Sequence, residues 1–61
     1  MTWGELRRIA KERGARLVRN GSRHDKWQTV DGKVFYLERH WSQEARKGIT
    51  KSILDILGVK N

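Results

Sequence analysis

His24 and His40 are the two side chains in this 61-residue sequence whose ordinary titration range straddles neutral pH. His24 follows Asn20-Gly21-Ser22-Arg23, a turn signature, and has Arg23 and Lys26 as close neighbours. Neighbouring cations disfavour a further positive charge on an imidazole, which keeps it available as a base. What such a base can do depends on the substrate. RNA carries its own nucleophile, the 2′-hydroxyl, so one base with cations around the phosphate can cleave it without a metal. A metal site would lack ligands here, because the sequence has no Cys and no dense carboxylate cluster. The plainer alternatives are an exposed histidine at a strand start for His24 and a strand-end packing residue for His40.

Charge points to the same class of partner. Fourteen Lys and Arg stand against seven Asp and Glu, a formal net charge of +7. The cations are spread from Arg7 to Lys60 rather than grouped in one block. They read either as a solvated surface or as a phosphate-binding one, and a two-to-one excess over acids is more than solubility needs. No helix-turn-helix, zinc finger or aromatic RNP sheet motif can be read.

Size sets the frame for that chemistry. A chain this short forms one domain, here residues 1–61, and buries only roughly 60% of its unfolded surface. A large enzyme with its own cofactor fold is excluded, and no cofactor is expected. The absence of Cys excludes a disulfide framework. The run Val34-Phe35-Tyr36-Leu37 is far below the roughly 18 residues that span a bilayer. The first residues lack the pattern of a signal peptide. The expectation is a soluble, cytoplasmic domain without membrane contact.

The elements that must position His24 follow from spacing. Thr2-Trp3-Gly4-Glu5 is a capping box, and Leu6, Ile9 and Ala10 continue at helical spacing to a stop at Gly14, predicting a helix over about 3–13. Residues 15–20, 24–30 and 33–39 read as three strands, with Asn20-Gly21-Ser22 and Asp31-Gly32 as turns. Ile49, Ile53, Ile56 and Leu57, with Leu54 beside them, predict an amphipathic helix over about 47–57, ended by Gly58. Lys60 and Asn61 are expected to fray. The fold class is therefore α+β, a single α-β-β-β-α domain with a three-stranded antiparallel sheet and both helices on one face.

Register is open at this stage. A two-residue loop at Asp31-Gly32 pairs Trp27 with Tyr36, whereas a three-residue loop that includes Val30 pairs Trp27 with Phe35. A one-residue slip exchanges the faces. In the second register position 24 faces position 38, and His40 becomes a diagonal neighbour, a candidate secondary acid. Trp3 and Phe35 read as core. Trp27 and Tyr36 stay undecided between core and base stacking, and Trp41 reads as an exposed contact.

Gly21-Ser22-Arg23-His24, after a capped helix and a short strand, resembles the Gly-Ser-x-His segment of HicA toxins, the small ribonucleases of HicA–HicB toxin–antitoxin pairs. The later segment Arg39-His40, a polar stretch and then Lys47-Gly48-Ile49-Thr50-Lys51-Ser52-Ile53-Leu54 is similar to the second histidine and final helix of that family. The resemblance covers nearly the whole chain. Arg23 stands where many members have a first histidine, and Glu38 where many have a proline. The resemblance implies a double-stranded-RNA-binding-like fold and metal-independent cleavage of mRNA, with His24 as the catalytic residue. It further implies a HicB-type antitoxin partner, the chain being a monomer when free and part of a hetero-oligomer with antitoxin. On this reading Arg23, Lys26 and Arg39 hold the phosphate, while Gly21 and Ser22 shape the turn. A non-catalytic RNA-binding module and a protein that binds only an acidic partner are the competing readings.

Overall fold

Alternation along two strands divides the molecule into a covered and an uncovered side. The computed structural model describes residues 1–59, so the expected fraying of Lys60 and Asn61 lies outside them. The chain runs α1 (Trp3–Glu12), β1 (Arg16–Asn20), β2 (His24–Gln28), β3 (Val34–Glu38) and α2 (Lys47–Leu57), the α-β-β-β-α order that the sequence predicts. The strands form one antiparallel sheet in the order β1-β2-β3.

The first helix starts at its capping box. The Glu5 amide donates to the Thr2 hydroxyl at 3.2 Å, and the Thr2 amide donates to the Glu5 carboxylate at 2.9 Å. The hydrogen bond from the Thr2 backbone, with that from its hydroxyl, holds the Glu5 carboxyl below its ordinary range. Two more N–H groups of this first turn find acceptors in the connection before α2. Trp3 donates to the Gln43 carbonyl at 3.0 Å and Gly4 to that of Trp41 at 2.9 Å. A Cβ on Gly4 would stand 2.9 Å from the Trp41 carbonyl oxygen, so the close approach needs glycine.

The loop between β2 and β3 settles the register. The Thr29 amide donates to the Lys33 carbonyl at 2.8 Å, leaving Val30, Asp31 and Gly32 as a three-residue loop with Gly32 at φ +92°. Trp27 therefore faces Phe35 and His24 faces Glu38. Asp25 and Trp27 on β2, with Phe35 and Leu37 on β3, point to the covered side. There Trp27 stacks on Phe35 with ring centroids 6.4 Å apart, which assigns Trp27 to the core.

Both helices pack on that side. Trp3, Leu6 and Ala10 of α1 meet Ile53, Leu54 and Leu57 of α2 in one cluster with the strand residues. The α2 stripe differs from the expected one in its first member, since Ile49 is exposed and Leu54 is buried. Leu54 lies one turn before Leu57 and beside Ile53, so these three make the contact and the first turn of α2 overhangs it. Leu6 and Leu37 are fully buried. Replacing Leu37 by Ala is expected to cost about 2–5 kcal/mol in urea unfolding; a loss below about 1 kcal/mol would contradict the central place given to it.

Candidate active site

The uncovered side of the sheet carries the histidine. His24 and Lys26 alternate outward from β2, as Tyr36 does from β3. With Arg19 of β1 and the turn residues Gly21, Ser22 and Arg23, they line an open cleft of about 710 Å³. Four of the sequence-derived candidates beyond His24 thus come together with it: Gly21, Ser22, Arg23 and Lys26. Three cations line it, and among the residues lining it there is no carboxylate.

Arg19 reaches the cleft through an irregularity. Leu17 pairs with Trp27 but Arg19 with Lys26, so Val18 is an extra residue in β1. Such a bulge shifts the alternation by one. Unbulged, Arg19 would face Asp25 on the covered side. With it, Arg19 stands opposite Lys26. Adjacent Leu17 and Val18 gave no alternation from which to read this, and only a register could have found it.

The turn that presents His24 is closed on both sides. The Gly21 amide donates to the His24 carbonyl at 3.0 Å, leaving Ser22 and Arg23 as the tip. A Cβ on Gly21 would stand 2.3 Å from that same oxygen, so only glycine lets the two backbones come this close. From just past the end of β3, the Arg39 guanidinium donates to the Gly21 carbonyl and lies 3.5 Å from Asp25 Oδ1. The Asp25 side chain is only 6% exposed. Oδ1 has no hydrogen-bond partner among the described residues, so the Arg39 contact is an ion pair without hydrogen-bond geometry. Arg39, expected to hold a phosphate, instead ties the end of β3 to the turn and to the buried carboxylate next to His24. It does not line the cleft.

His40 lies two residues past the end of β3, where strand alternation no longer sets its direction. It is exposed, its carbonyl accepts from the Gln43 amide at 3.0 Å, and it does not line the cleft. Among the described residues the carboxylate within ion-pair distance of His24 is that of Glu38, with Oε2 4.0 Å from His24 Nε2. Trp41 is half-exposed beneath Arg7, whose guanidinium carbon sits 5.0 Å from the ring centre. Among the described residues no three His, Cys, Asp or Glu side chains converge as metal ligands. Nor is any helix among them long and apolar enough to cross a membrane.

Compared with protein-family models, curated proteins and solved structures, the chain matches none. The site therefore rests on its own geometry. If the turn depends on the close approach at Gly21, Gly21→Ala displaces His24 while the core persists. Backbone amide NMR is expected to show shifts concentrated at residues 20–26 and 38–39, with the α1 and α2 amides unmoved. Shifts confined to residue 21 and its immediate neighbours would contradict this.

Proposed function

We propose that the chain is a metal-independent endoribonuclease that cleaves mRNA as the toxin of a HicA-type toxin–antitoxin pair. The observation that carries the reading is a single exposed imidazole, His24, set in an open cleft beside Arg19, Arg23 and Lys26. His24 takes the proton of a 2′-hydroxyl, and the freed oxygen attacks the adjacent phosphorus. The O2′–P bond forms and the P–O5′ bond breaks. The products are a 2′,3′-cyclic phosphate and a 5′-hydroxyl, the leaving oxygen taking its proton from water. Arg19, Arg23 and Lys26 offset the charge that grows on the phosphoryl oxygens. Ser22 and the Gly21 backbone shape the turn that holds the base in place.

The same charge supports the partner reading. A face with three cations and no lining carboxylate suits an acidic antitoxin of the HicB type, which would cover the cleft in a hetero-oligomer and leave a monomer active in the cytoplasm when lost. A second reading, a non-catalytic RNA-binding module, draws on Tyr36. That ring is 54% exposed beside Lys26 on the uncovered sheet face, where it can stack on a base.

Cleavage separates the two. On a labelled RNA, the purified protein is expected to release fragments with cyclic-phosphate ends, and His24→Ala to lower the rate by about 10²–10⁴-fold and relieve growth arrest on induction. Intact, retarded RNA with both proteins would establish the binding module instead.

A further inference from the structure

The register places one acid against the proposed base. His24 and Glu38 are directly opposed across β2 and β3, with His24 Nε2 4.0 Å from Glu38 Oε2. The two differ in what else they meet. His24 is 52% exposed and lines the cleft, whereas Glu38 is 36% exposed and does not. Glu38 thus lies beside the imidazole without lining the cleft. The other charged or titratable groups on this face are Arg19 from β1, Lys26 from β2, Arg23 from the tip and Tyr36 from β3. Asp25, the other nearby acid, points to the covered side and pairs with Arg39. Among the described residues, Glu38 is therefore the one carboxylate positioned to answer a charge on His24.

We propose that Glu38 and His24 form a carboxylate–imidazole dyad, in which Glu38 is a positioning residue that acts through His24. The arrangement turns Nε2 to the carboxylate and leaves Nδ1 for the substrate. When Nδ1 takes the 2′-hydroxyl proton, the ring becomes an imidazolium with Nε2–H directed at Glu38, and the ion pair forms as the charge appears. The imidazolium then returns its proton to solvent, which had supplied one to the leaving O5′. Arg19, Arg23 and Lys26 oppose a positive charge on the ring, and Glu38 is the group that compensates for them. The dyad rests on the ribonuclease reading for its chemical step, but its existence can be measured without RNA.

The experiment compares wild type, Glu38→Gln and Glu38→Asp in two assays. In the first, the His24 ring protons are followed by NMR across pH in the free protein. The transition of Glu38→Gln is expected to be displaced from that of wild type, with Glu38→Asp between them. In the second, cleavage of an RNA oligonucleotide is followed. Glu38→Gln is expected to lower kcat by about 10–100-fold with KM within about twofold, to displace the rising limb of the kcat–pH profile, and to be partly rescued by Asp. An unmoved NMR transition overturns the dyad, whether or not RNA is cut. A moved transition in a protein that cuts no RNA supports the dyad and overturns the ribonuclease reading. A moved transition with wild-type kcat overturns the role of Glu38 in the step. A rise in KM alone would make Glu38 a substrate contact and overturn its action through His24.

Discussion

The cleft depends on the tie from Arg39 to Asp25 and Gly21. Asp25 is a carboxylate with its side chain almost wholly removed from water, one residue from the proposed base. A buried charge of this kind is tolerated only with a partner, and losing the partner costs about 3 kcal/mol or more. Arg39 is that partner, and its reach to the Gly21 carbonyl uses the same guanidinium to hold the turn. Burial of Asp25 thus requires Arg39, Arg39 fixes Gly21, and Gly21 fixes the backbone from which His24 projects. The tie joins the Gly-Ser turn to the buried carboxylate beneath it. Arg39 does not line the cleft, whose cations are Arg19, Arg23 and Lys26.

Strand parity does the rest of the positioning. Along β2, alternate residues serve opposite purposes: Asp25 and Trp27 face the helices, while His24, Lys26 and Gln28 face outward. Three strands with both helices on one side leave the opposite face open, and the strand that carries the core therefore also carries the candidate site. A 61-residue chain has few residues to assign to a site alone. Reaction with an internal nucleophile suits that limit, because the substrate provides a group that a larger enzyme would have to build.

The capping box, the two helices and the order of strands were legible in the sequence because each rests on local spacing. The face on which His24 lies was not, since Asp31-Gly32 admits a two- or a three-residue loop and one residue exchanges the faces. Gly32 at positive φ, with Val30 fully outside the ladder, decided it. Arg19 was hidden by the bulge at Val18. Asp25 was not singled out in the sequence, because its burial beside Arg39 joins residues fourteen positions apart. Glu38 stood out only as a replacement for proline, and its pairing with His24 exists in one register alone. The residues missed are those whose roles are fixed by pairing across strands, which sequence spacing does not encode.

The central claim is that the substrate supplies the nucleophile and His24 activates it. The most direct measurement uses RNA oligonucleotides that differ at one atom: the nucleotide 5′ of the cut bond carries either a 2′-hydroxyl or a 2′-hydrogen. With the hydroxyl, cleavage and a 2′,3′-cyclic phosphate are expected; with the hydrogen, that bond survives while the oligonucleotide binds with unchanged affinity. Cleavage of the 2′-deoxy bond at an undiminished rate would contradict the account.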